Sequence, residues 1–138
     1  MNPWNKIAPY KPRLLAAVLR FEGAVEMLAF IAVVMPHAWM AAAHQWLGLG
    51  VLPDFPLLDY MIRSVSFLYG LHGVLLWMLA KDTKRFRPLI IYAAASYLAS
   101  VLVFAMIDLR DGMPWWWTGA EIASVLSYGL VLAWLLWD

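Results

Sequence analysis

The sequence predicts an all-α integral membrane protein: four transmembrane helices in an antiparallel bundle, with one short interfacial helix after the first span. Two observations carry that prediction. The charges are almost confined to the gaps between four long apolar runs, residues 13–35, 57–80, 88–107 and 118–137, and each run is long enough as a helix, at roughly 1.5 Å per residue, to cross a hydrocarbon layer. In addition, 64% of the 138 residues are hydrophobic and only 14% are charged. That is more apolar surface than one core of this size can hide, so lipid must cover the remainder.

The first span follows Lys6, Lys11 and Arg13 and carries Arg20, Glu22 and Glu26 inside it. Internal charge and length set it apart from the apolar region of a signal peptide, so it reads as a retained helix that Pro36 closes. The segment 37–48 is too short to cross again. At about 100° per residue, Trp39, Met40, Ala43, Trp46 and Leu47 gather on one face and His37, Ala41, His44 and Gly48 on the other, which predicts a helix lying in the outer interface. Pro53, Asp54 and Pro56 then predict an extended link into the second span.

Small residues form narrow stripes, Ser66, Gly70 and Gly73 on the second span and Ala93, Ser96 and Ser100 on the third. Lipid tails supply no hydrophobic drive for helix association, so such stripes are the expected contact faces. Gly112 and Pro114 mark a turn in the last connection, 108–117, and Trp115, Trp116 and Trp117 suit headgroup depth. The chain reads as a single domain, 1–138, without an internal repeat.

Lys and Arg placement orients the bundle. Lys6, Lys11 and Arg13 precede the first span and Lys81, Lys84, Arg85 and Arg87 fill the connection after the second, whereas the 36–56 connection has neither residue type and 108–117 has only Arg110. The positive-inside rule then puts both termini in the cytoplasm, in keeping with a multi-pass protein of a bacterial inner membrane. The formal net charge of +1 gives no general attraction to nucleic acid. The chain has no cysteine, which removes disulfides, thiolate metal sites and thiol nucleophiles.

Ionisable residues at membrane depth are expensive, about 2.5–3.5 kcal/mol each on insertion scales, and need partners or a wet cavity. Arg20 is near enough to the cytoplasm to snorkel. Counting from the span ends puts Glu26, Arg63 and Glu121 at similar depth, with Ser124 and Tyr128 continuing the Glu121 face. This predicts a buried charge cluster or ligand site of Glu26, Arg63, Glu121, Ser124 and Tyr128. Glu22 and His72 are secondary candidates. His72 projects about 180° from Arg63 on the second helix, so it should meet a different neighbour, such as a second subunit or a backbone carbonyl. His37 and His44 read as solvated interfacial histidines, since no HExxH is present, and no metal or other cofactor is expected.

Four helices in about this length, with an early arginine followed by a glycine, here Arg20 and Gly23, resemble the small bacterial inner-membrane proteins grouped as DoxX-like. That resemblance implies a four-helix fold and carries over no functional residue. The leading functional expectation is a non-enzymatic scaffold or accessory subunit, a homo-oligomer or part of a larger complex in the bilayer. The alternative is a small carrier or binding protein for a lipid, quinone or proton-coupled solute, using the Glu/Arg cluster. An intramembrane enzyme is disfavoured, because His72 lies off the Glu121 and Ser124 face and no nucleophile–base pair assembles.

Overall fold

In a computed structural model that describes residues 8–137, the chain is helical throughout, with no strand among those residues. A short 3-10 turn, Ala8–Tyr10, leads into α1 (Lys11–Met27), α2 (Phe30–Val34), α3 (His37–Trp46), α4 (Pro56–Leu79), α5 (Arg87–Asp111) and α6 (Trp115–Leu136). Lys6 lies outside the described residues. Prolines punctuate the starts: Pro36 and Pro114 cap α3 and α6, Pro56 opens α4 and Pro88 sits in the first turn of α5. The fixed φ of proline suits a first turn, where its missing N–H costs no helical bond.

Three helices, α4, α5 and α6, are long and apolar enough to cross a membrane. Their 24, 25 and 22 residues correspond to about 33–38 Å. The first predicted span, 13–35, is a correction: it is two helices, α1 and α2, rather than one. Between them Leu28 and Ala29 bond back three residues, Leu28 N–H to the Val25 carbonyl at 3.1 Å and Ala29 N–H to that of Glu26 at 2.9 Å. The helix is thus tightened locally into 3-10 geometry. Neither piece alone has spanning length, and Arg13, Arg20, Glu22 and Glu26 dilute the apolar character of the longer one.

The remaining boundaries shift modestly. The interfacial segment ends at Trp46 rather than residue 48, because Gly48 turns left-handed at φ +74°. The third span continues past residue 107 to Asp111, so Gly112 to Pro114 alone connect α5 with α6. Gly112, at φ +69°, donates its N–H to the Asp108 carbonyl and ends α5 in the left-handed cap that glycine favours.

The chain divides into two compact units, Leu19–Met78 and a second made of the chain up to Val18 with Leu79 onward. In Leu19–Met78, the α1–α2 stretch and α4 run antiparallel in one register: Arg20 meets Trp77, Gly23 meets Gly73, Glu26 meets His72, Phe30 meets Gly70 and Val33 meets Arg63. Two positions of the small-residue stripe predicted on the second span, Gly70 and Gly73, lie in this seam. A Cβ on Gly73 would lie 2.5 Å from the Gly23 carbonyl oxygen, and one on Gly70 would strike the Phe30 ring.

In the second unit α5 and α6 pack antiparallel. Gly129 faces Leu98, and the Tyr97 and Tyr128 rings meet edge to face at 4.6 Å. Ile90, Ala93, Leu132 and Leu135 are buried, with Ala93 from the stripe predicted on the third span. Large apolar side chains elsewhere stay uncovered, among them Phe21, Leu102 and Leu109, as a lipid-facing surface requires.

Candidate functional site

Two polar clusters form in Leu19–Met78, one within the seam between α1 and α4 and one near the start of α4. The deeper cluster depends on backbone approach. Because neither Gly23 nor Gly73 has a side chain, α1 and α4 come close enough that a Cβ on Gly73 would sit 3.1 Å from the Cβ of Glu26. His72, the neighbour of Gly73, reaches across this gap, and its Nδ1 donates to Oε2 of Glu26 at 2.6 Å. The Glu26 side chain is only 8% exposed and that of His72 42%. Glu22, one turn before Glu26, also acts electrostatically on His72.

The second cluster lies near the start of α4. Arg63 Nη1 donates to the Val33 carbonyl at 2.6 Å, and Nη2 stands 3.7 Å from Asp59 one turn earlier on α4. Asp59 in turn accepts from His37 Nδ1 at 2.7 Å, with Asp54 4.0 Å from the other ring nitrogen. Arg63 thus satisfies a carbonyl in the last turn of α2, which lacks intrahelical partners. Asp59 fastens the start of α3 to the start of α4.

The residues singled out in the sequence therefore distribute as follows. Glu22, Glu26, Arg63 and His72 belong to Leu19–Met78, where Glu26 is bonded to His72 and Arg63 to Val33, while Glu121, Ser124 and Tyr128 belong to the other unit. His72 meets the carboxylate of Glu26 on α1, whereas the helix geometry predicts a second subunit or a backbone carbonyl as its neighbour. The 180° separation from Arg63 assumes a single seam line, whereas the contact runs through Arg63, Phe67, Gly70, Gly73 and Trp77 with His72 flanking it beside a glycine. Ser124 donates to the backbone carbonyl of Glu121 at 2.8 Å, not to its carboxyl.

Sequence reasoning missed three participants. His37 is latched to Asp59 rather than solvated, and His44 Nδ1 donates to the Gly50 carbonyl at 3.0 Å, which closes the turn after α3. Asp108, read as part of a loop, is 5% exposed in the last turns of α5 beside the Glu121 carboxyl, and among the described residues its Oδ2 finds no hydrogen-bond partner. The usable signal was the αL glycine at 112, which moves the helix end beyond Asp108. Among the described residues no three His, Cys, Asp or Glu side chains gather as metal ligands would.

Compared with protein families, with curated proteins and with solved structures, the chain finds no match.

Proposed function

We propose that this chain is a four-span, non-enzymatic membrane protein of DoxX-like layout, serving as a scaffold or accessory subunit of a membrane complex. The observation that carries the reading is the pairing in Leu19–Met78, where Glu26 meets His72 and Arg63 meets the Val33 carbonyl and Asp59. An imidazole bonded to a carboxylate and a guanidinium bonded to a backbone carbonyl across one seam fix rotation and register, the best-attested use of buried polar pairs. In this reading α1 and α2 together are the first span, since Lys11–Val34 covers about 36 Å along a helix axis. Lys11, Lys84, Arg87 and Trp137 line one groove, which supports a common basic side for both ends of the chain and, by the positive-inside rule, a cytoplasmic one.

The test is the mass of the full chain extracted in native nanodiscs. A homo-oligomer or a larger complex, well above the 15.7 kDa of one copy, is expected, and a strict monomer refutes the reading. A proton-linked carrier is the second reading, favoured by one observation: His72 is partly exposed while its partner Glu26 is not, so a titratable couple at membrane depth has one open side. Vesicles loaded with a pH dye separate the two. A carrier gives proton flux that Glu26→Gln abolishes, whereas a scaffold gives none above protein-free vesicles.

A further inference from the structure

We infer that the unit formed by the chain up to Val18 and Leu79 onward binds the phosphate headgroup of one anionic phospholipid, in a groove lined by Lys11, Thr83, Lys84, Arg87, Leu135 and Trp137. The groove encloses about 290 Å³, near the lower end of small-molecule sites, which suits a headgroup rather than a whole lipid. Its three cations come from separate parts of the chain, Lys11 from the start of α1, Lys84 from the connection before α5 and Arg87 from the first residue of α5. None of the described lining residues is acidic.

The last carbonyls of α6 fix two of these cations. Lys11 Nζ donates to the Trp137 carbonyl, with that of Trp134 at 3.5 Å, and Arg87 Nη2 donates to the Leu136 carbonyl at 2.8 Å. A carbonyl carries no formal charge, so neither of these contacts by itself neutralises the side chain it positions. Lys84 is exposed and Thr83 half-buried, adding an ammonium and a hydroxyl to the same rim. A phosphodiester has one negative charge and two unesterified oxygens, and clustered charged donors meet both needs. Leu136 and Trp137, part-exposed and exposed, form an apolar wall at the end of α6, along which acyl chains can run. Inorganic phosphate shares the charge but cannot use that wall, so the geometry favours the lipid. Basic pockets between spans on the cytoplasmic side are the usual seat of such headgroups.

Lys81 and Arg85 occupy the same connection but do not line the groove, and this makes the site separable from a diffuse positive field. The experiment is native mass spectrometry of the full chain in a charge-neutral detergent, with equal amounts of phosphatidylglycerol and phosphatidylcholine. One phosphatidylglycerol should be retained in preference. Lys84→Gln should weaken that preference about five-fold, the usual effect of one cation near anionic lipid, and Lys84→Glu should remove it, while Lys81→Gln leaves it unchanged. Inorganic phosphate supplied without lipid should not be retained. Equal losses in Lys81→Gln and Lys84→Gln, an intact preference in Lys84→Glu, or retention of inorganic phosphate would each overturn the assignment. Unchanged circular dichroism and thermal midpoint of the variants separate a lost site from a lost fold.

Discussion

Replacing Gly73 by alanine is the sharpest perturbation of the α1–α4 seam. The added methyl would lie 2.5 Å from the Gly23 carbonyl oxygen and 2.9 Å from the Met27 nitrogen, where ordinary contact starts near 3.4 Å. Both are backbone atoms, so no change of rotamer relieves the clash and the helices must part by about 0.9 Å at this level. Overpacking of that kind costs about 1–3 kcal/mol. The same displacement stretches the 2.6 Å Glu26–His72 bond to about 3.5 Å, beyond useful length, and losing a hydrogen bond to a charged group adds about 1.5–3 kcal/mol. The terms overlap, so about 3 kcal/mol is expected for the pair. Gly70→Ala is the control: the nearest atoms it meets are those of the Phe30 ring, a side chain that can swing aside, and it should cost about 1 kcal/mol. Reversible unfolding in mixed micelles, followed through the nine tryptophans, measures both. A Gly73→Ala variant within about 0.5 kcal/mol of the parent, or one less damaged than Gly70→Ala, would refute backbone contact.

Asp59→Asn should release α3 from α4 by weakening the bond to His37, at about 1–3 kcal/mol, and hydrogen exchange should report faster opening confined to residues 37–50. Leu132→Ala empties a fully buried position on α6 and should cost roughly 2–5 kcal/mol, whereas Leu102→Ala, which is 71% exposed, should leave the unfolding free energy unchanged; equal effects would place lipid on the wrong face. Gly112→Ala forces a Cβ into the φ +69° conformation and should cost about 1 kcal/mol, read as a lower midpoint with the helix content retained.

Much of this architecture was legible in the sequence because membrane helices advertise themselves by length and apolarity. The second, third and fourth runs became α4, α5 and α6 with ends shifted by up to four residues, and Pro36, Pro56 and Pro114, read as the close of a span, a link and a turn, each stand at a helix start for a local, steric reason. Gly70 and Gly73 were recognisable as a contact face, since nothing but close approach rewards small residues there. The break at Leu28 and Ala29 was not legible: neither residue is a helix breaker, and the tightening shows only in the hydrogen bonds to Val25 and Glu26.

The partners of the charges were less legible than their positions. Depth counting supplies a height for Glu26, Arg63 and His72, but partner choice depends on which residues flank the seam and how closely the backbones approach. The missing side chain of Gly73 brings His72 to Glu26, an effect that a helical wheel of single residues does not contain. Likewise, His37 and Asp59 are 22 positions apart, and only the fold of the intervening 47–55 link brings them together. Asp108 escaped notice because Arg110 and Asp111 beside it read as solvated loop, although the helix continues through all three.

The Glu26–His72 bond across the α1–α4 seam carries the account, and one measurement addresses it directly: the dipolar coupling between the labelled Nδ1 of His72 and the carboxyl carbon of Glu26, recorded by solid-state NMR on the full chain in lipid bilayers. A strong coupling, as a 2.6 Å nitrogen–oxygen contact demands, is the predicted result. Absence of coupling in a folded sample, with His72 turned to lipid or to another partner, would contradict the register and the pairing built on it.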